Sequence, residues 1–125
     1  MNKENDPLTE KVIGLAIEVH RGLGPGLLES AYEECLCYEL DQHGIPYRRQ
    51  VPLRVAYKDV ELDCGYRMDI VVDGVLIIEL KTVEKILPVH DAQLLTYLKL
   101  SGLHTALLLN FNVAVLKEGI RRRVL

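Results

Sequence analysis

The chain has 125 residues, 49% of them apolar, and a formal net charge of −3. That length suits one domain around one hydrophobic core, and that charge excludes the overall basic field that draws a protein onto nucleic acid. Three cysteines, Cys35, Cys37 and Cys64, at no metal-type spacing argue against a disulfide framework or a zinc site and predict reduced, partly buried thiols.

The opening MNKENDPLTE is polar, with no signal-peptide core, and no apolar run approaches the roughly 18 residues of a membrane span. The expectation is a soluble, cytoplasmic protein, one domain over 1–125 with a mobile polar tail at 1–6. A helix is predicted from Pro7 to Gly22. Asp6 caps it, Pro7 suits its first position, and Leu8, Val12, Leu15, Ala16, Val19 and Leu23 recur at helical spacing as its buried stripe. His20, near the C-terminus, reads as a dipole-favoured surface residue, with a ligand role as the alternative. Gly22-Leu23-Gly24-Pro25-Gly26 ends the helix; no Gly-Lys-Ser/Thr follows, so it is not a phosphate loop.

The second helix is predicted from Leu27 to His43, closing at Gly44, with Leu28, Ala31, Tyr32, Cys35, Leu36 and Leu40 on its apolar side. Gly26, Glu29 and Tyr32 are spaced by three and lie along one side of its first turns. Glu29 has two readings: the N3 acid of a capping box closed on Gly26, or a catalytic carboxylate. Next comes a half-buried strand with Val51, Leu53, Val55 and Tyr57 on one face and Pro52 marking an edge, then a turn at Lys58-Asp59 and a short strand at Val60 to Leu62. Two central strands follow, Tyr66 to Val72 and Val75 to Lys81. Pro88 opens a third helix ending near Ser101-Gly102, with Leu94, Leu95, Leu98 and Leu100 inward and Gln93 and Tyr97 on a shared face. Thr105 to Asn110 is a central strand, and Val113 to Leu116 and Ile120 to Leu125 are candidate strands. This order predicts an α/β domain with a mixed central β-sheet and helices on both sides.

The central strands are apolar almost throughout, yet carry Asp69, Glu79 and Lys81. Burying a charge costs several kcal/mol unless it is paired or metal-bound. Glu79 and Lys81, two apart, leave the same face of their strand. A two-residue hairpin at Asp73-Gly74 pairs Val72 with Val75 and puts Asp69 on the wrong face from Glu79. A three-residue loop, Val72-Asp73-Gly74, pairs Val71 with Val75 and puts the two acids on one face. A catalytic reading requires the second geometry or an equivalent bulge. Asp69 and Glu79 would then offer hard oxygen ligands to Mg²⁺ or Mn²⁺, with the Leu80 backbone carbonyl and Glu29 as further ligands. Lys81 would stand as a point charge beside water or phosphate, and Gln93 and Tyr97 would hold substrate. The other reading is an ion cluster that satisfies only itself. Arg48 with Arg49, and Arg121 to Arg123, are either local contacts for nucleic acid or a solvated rim.

Asp69 with Glu79-Leu80-Lys81 resembles the D…(D/E)-x-K signature of the PD-(D/E)XK nuclease superfamily. Gln93-x-x-x-Tyr97 resembles the extra motif of its RecB-type branch, and Gly26-Leu-Leu-Glu29-Ser-Ala-Tyr32 resembles the motif that names the GxxExxY family. Met68 replaces the proline of the superfamily's name, and the four-cysteine cluster of some RecB-type nucleases has no counterpart. The resemblance implies a restriction-endonuclease-like core in the order α-β-β-β-α-β. It implies an active-site set of Glu29, Asp69, Glu79 and Lys81, with Gln93, Tyr97 and Tyr32 accessory. It also implies a Mg²⁺- or Mn²⁺-dependent nuclease acting on DNA or RNA, with a homodimer or protein partner to help so small a chain grip its substrate. Two alternatives stay open: a catalytically silent nucleic-acid-binding or assembly subunit, and a phosphodiesterase for a small nucleotide.

Overall fold

The computed structural model describes residues 6–125, so all but Asp6 of the expected polar tail lies outside the described residues. Helix α1 spans Pro7–Leu23. The Asp6 carboxylate accepts the Thr9 N–H at 2.8 Å, and Gly24, at φ 69°, closes the other end. Helix α2 spans Glu29–Gln42 and is followed by Gly44 at φ 64°. Strands β1 (Tyr47–Pro52), β2 (Val55–Tyr57), β3 (Val60–Leu62), β4 (Arg67–Val72) and β5 (Leu76–Lys81) follow. Helix α3 (Pro88–Ser101) leads into β6 (Thr105–Asn110), a 3-10 turn at Leu116–Gly119 and β7 (Ile120–Val124).

Five strands form a mixed sheet in the order β1-β4-β5-β6-β7, with β5 and β6 parallel and the other pairs antiparallel. Alternation along the central strands sorts their side chains to two faces. Ile70, Val72, Ile78, Leu80, Leu107 and Leu109 pack with Val12, Ala16, Leu36 and Leu40 of α1 and α2. Val71, Ile77, Ala106 and Leu108 pack with Leu94, Tyr97 and Leu98 of α3. The chain is thus α/β, a mixed sheet between helical layers. Taken as α2, β1, β4, β5, α3 and β6, it follows the α-β-β-β-α-β order, with β2 and β3 inserted as a separate two-stranded hairpin.

Several expectations are corrected. The strand expected around Val51 to Tyr57 is two strands. Pro52, which has no N–H, ends edge strand β1 opposite Arg67; the Leu53 N–H donates to the Tyr66 carbonyl at 3.0 Å, and the chain then leaves the main sheet. His20 is buried rather than on the surface: its Nε2–H donates to the Val113 carbonyl at 2.8 Å. That acceptor lies in the stretch expected as a strand from Val113 to Leu116, which is an irregular turn. Leu23 and Leu28 fall outside the apolar stripes because the chain is already leaving or not yet entering helix there. Cys64 is exposed, whereas Cys37 is buried and its thiol is pushed up to about 11 by desolvation. No helix among the described residues is long and apolar enough to cross a membrane.

Candidate active site

The turn between β4 and β5 decides whether Asp69 and Glu79 meet. Asp73 and Gly74 both take left-handed φ, 51° and 69°, and the Val75 N–H donates to the Val72 carbonyl at 3.0 Å. The ladder nonetheless pairs Val72 with Leu76, Val71 with Ile77 and Ile70 with Ile78, leaving Val75 as an extra, exposed residue. Neither expected hairpin forms. The tight Asp73-Gly74 turn is followed by a one-residue bulge, which delivers the same-face placement by another route.

One step beyond Ile70 and Ile78, the strands exchange side chains in place of ladder bonds. The Asp69 N–H donates to Glu79 Oε2 at 2.9 Å, and the Leu80 N–H donates to Asp69 Oδ2 at 2.8 Å. Each carboxylate is therefore held by the strand that bears the other. An ionised carboxylate offers about four lone-pair sites, so each keeps acceptor capacity.

The site is electrostatically under-compensated. Burial, then the nearby Asp69 charge, pushes Glu79 up to about 8. Asp69 is also raised, chiefly by desolvation, against the pull of the Leu80 N–H. Glu29 is raised by local desolvation and by the Asp69 charge, while Lys81 pulls it down. Lys81, half-buried at the end of β5, lowers all three acids but does not outweigh their burial.

Glu29 reaches this group from α2. The capping-box reading fails because Leu28, not Gly26, is the N-cap, so Glu29 is the first helical residue. Its carboxylate instead faces the backbone N–H of Thr82, which pulls its pKa down against the desolvation. On the other flank, Gln93 Nε2 donates to the Tyr97 hydroxyl at 3.0 Å, and that hydroxyl is raised by burial and by the Glu79 charge. Tyr32 stands apart. It is fully buried, its ring stacks on Phe111 at 4.3 Å, and its hydroxyl donates to the Gly24 carbonyl at 2.6 Å while accepting the Leu27 N–H at 3.2 Å. It secures the loop before Glu29.

Two residues were missed in the sequence. Gln50 falls opposite Asp69 in the register set by Arg49 with Ile70 and Val51 with Met68. Its amide donates to Glu33 Oε1 at 2.9 Å and also reaches Asp69. Glu33, one turn after Glu29 on α2, is buried and holds Arg49 through Nε at 2.9 Å and Nη2 at 2.7 Å. The Glu29-to-Glu33 spacing of one helical turn was the available signal. Arg49, Arg122 and Arg123 of the basic clusters enter such pairs: Arg49 also meets Glu34, Arg123 meets Asp91 at 2.6 Å, and Arg122 meets Asp6 at 3.8 Å.

Among the described residues, no three His, Cys, Asp or Glu side chains converge closely enough to hold an ion between them. The donor set that does converge is one Asp and one Glu. That fits Mg²⁺ and its like, which are ordinarily bound through one or two carboxylates and keep several waters. A sequence model described as PD-(D/E)XK nuclease superfamily matches residues 6–123. No curated protein and no solved structure matches the chain.

Proposed function

The chain belongs to the PD-(D/E)XK nuclease superfamily, and on that footing we propose that it is a divalent-metal-dependent nuclease hydrolysing phosphodiester bonds of DNA or RNA. The observation that carries this reading is the interlock of Asp69 and Glu79, each carboxylate bonded to the backbone of the other's strand, with burial raising both. A self-satisfying ion cluster would pair each acid with a cation. Here the buried acids outnumber the one lysine whose charge acts on them, and a bound cation relieves that imbalance.

Asp69, Glu79 and the Leu80 backbone carbonyl would hold Mg²⁺ or Mn²⁺, with Glu29 joining directly or through water. The ion, when bound, supplies an activated water and stabilises charge on the phosphate. Lys81 extends from the same strand as Glu79 and offers its ammonium to the attacking water or to a phosphate oxygen. Glu29, at the more open end of the group, is suited to orient that water. Gln93 and Tyr97 border the acids from α3, where they would position substrate. The filled Gly26-x-x-Glu29-x-x-Tyr32 and Gln93-x-x-x-Tyr97 motifs support placement in the GxxExxY family within the RecB-type branch.

The test is cleavage of labelled single- and double-stranded DNA and RNA with Mn²⁺ or Mg²⁺, beside Lys81→Ala and an EDTA control. The expected result is cleavage by the wild type that is lost in both controls, with Lys81→Ala still folded. Equal cutting by a folded Lys81→Ala protein would contradict the role of the lysine. A second reading, an assembly subunit without turnover, is favoured by the β2–β3 hairpin, where Tyr57, Val60 and Leu62 are all exposed. Absence of cleavage on every polymer, with binding of a protein partner through that hairpin, would support it.

A further inference from the structure

Beside the acids, an open groove of about 550 Å³ runs between α3 and an outer wall made by Val55 of β2 and Tyr66 just before β4. It adjoins the candidate active site through Gln93 and Tyr97, which line it, and the Tyr97 hydroxyl feels the charges of Glu79 and Asp69. Tyr66 is 45% exposed, and its ring stands edge-on to Tyr97 at 6.4 Å and 69°, which fixes its orientation while leaving much of it open. The groove includes no Lys or Arg in its lining, so it is not built for phosphate. Its walls are aromatic and aliphatic, with polar groups at His90, Gln93 and Thr96. The Leu87 N–H donates to His90 Nδ1 at 2.9 Å, so that nitrogen is the acceptor and the neutral ring carries its proton on Nε2, a spare donor.

Flat apolar faces with a few edge donors and acceptors match a nucleobase. A base inside a duplex offers its faces only to its neighbours in the stack; an unpaired base offers both. We propose that this groove takes an unstacked nucleobase of a single-stranded nucleic acid, stacked on Tyr66, beside a phosphodiester at Asp69 and Glu79. The inference rests on the nuclease reading and narrows its substrate to single strands or frayed ends.

The experiment is fluorescence anisotropy with short labelled oligothymidylate and oligouridylate, an abasic strand of the same backbone and a blunt-ended hairpin duplex, with Ca²⁺ as the divalent ion. Wild type, Tyr66→Ala and Tyr66→Phe are compared, and thermal melts check that each is folded. Tyr66→Ala is expected to weaken binding of the base-bearing strands about tenfold, the loss typical of one base–aromatic stack. Tyr66→Phe keeps the affinity, and the abasic strand binds wild type and Tyr66→Ala alike. The oligothymidylate and oligouridylate arms separate DNA from RNA as the source of the base. The proposal is overturned if Tyr66→Ala binds those strands as tightly as wild type, if the duplex depends on Tyr66 to the same degree, or if wild type holds no single strand. Tyr66-dependent binding by a protein that cleaves nothing leaves the groove standing and removes the catalytic role of the acids. Metal-dependent cleavage of single strands with a KM indifferent to Tyr66→Ala does the reverse.

Discussion

Glu79 is held in a state that costs the fold something. With its pKa near 8 in the folded chain against about 4.5 unfolded, the folded protein retains a proton that the unfolded chain releases. Stability from this group is therefore full below the unfolded value and falls as pH rises through the folded one. Glu79→Gln removes that dependence while still accepting the Asp69 N–H. In denaturant unfolding without divalent ions, its advantage over wild type is expected to grow between pH 5 and pH 8 by on the order of 3 kcal/mol. A constant difference across that range would mean that the acid is not desolvated as described. Gln50 carries a second local cost, φ 50° within an edge strand, in the left-handed region that L side chains avoid. Gln50→Ala and Gln50→Gly both lose the amide to Glu33, but only glycine relaxes the backbone. Gln50→Gly is expected to be more stable than Gln50→Ala by about 1 kcal/mol in thermal unfolding. Neither feature of Gln50 is visible in the sequence: φ is set by tertiary structure, and the partner Asp69 lies on another strand.

Elements show why some boundaries were legible and some were not. The three helices announce their ends through Asp6, Pro7, Gly24, Gly44, Pro88 and Gly102, residues whose local chemistry dictates a cap or a stop. The β4–β5 turn was legible as a turn from Asp73-Gly74, yet its register was not. The bulge at Val75 comes from packing Leu76 and Ile78 against one helical layer and Ile77 against the other. The apolar residues after Phe111 have the pattern of a strand, but Val113 turns to give its carbonyl to His20, and a Cβ at Gly119 would collide with the Asn110 carbonyl. Asn110 in turn accepts the Val83 N–H at 3.1 Å and donates to the Val83 carbonyl at 2.9 Å, which ties down the chain just after Lys81. At the start of α2, Leu28 gives no side-chain cap, so the approach to Glu29 depends on the Tyr32 hydroxyl. Tyr32→Phe strands the Leu27 N–H and the Gly24 carbonyl and is expected to cost about 1–2 kcal/mol of stability. If Glu29 serves the site, kcat falls as well. A stability loss with unchanged kcat would restrict Tyr32 to the fold.

Across the molecule, the layer order and the acids were readable because an α/β sheet needs long apolar strands, and charges in such strands are conspicuous. What escaped was everything that depends on pairs of elements: the Glu33–Arg49–Gln50 network beside Asp69, the burial of His20, and the groove between α3 and the β2–β3 hairpin. The central claim concerns Asp69 of β4 and Glu79 of β5, namely that these desolvated, mutually repelling carboxylates hold a place for a divalent cation beside the exposed Glu29 of α2. Ion and proton compete for such a site, so affinity must rise as the acids ionise. The most direct measurement is calorimetric titration of Mn²⁺ into wild type and Glu79→Gln at pH 6 and pH 8. The expected result is binding that tightens at least tenfold from the lower pH to the higher, releases protons, and is lost in Glu79→Gln. Binding absent at both pH values, or undiminished in Glu79→Gln, would contradict it.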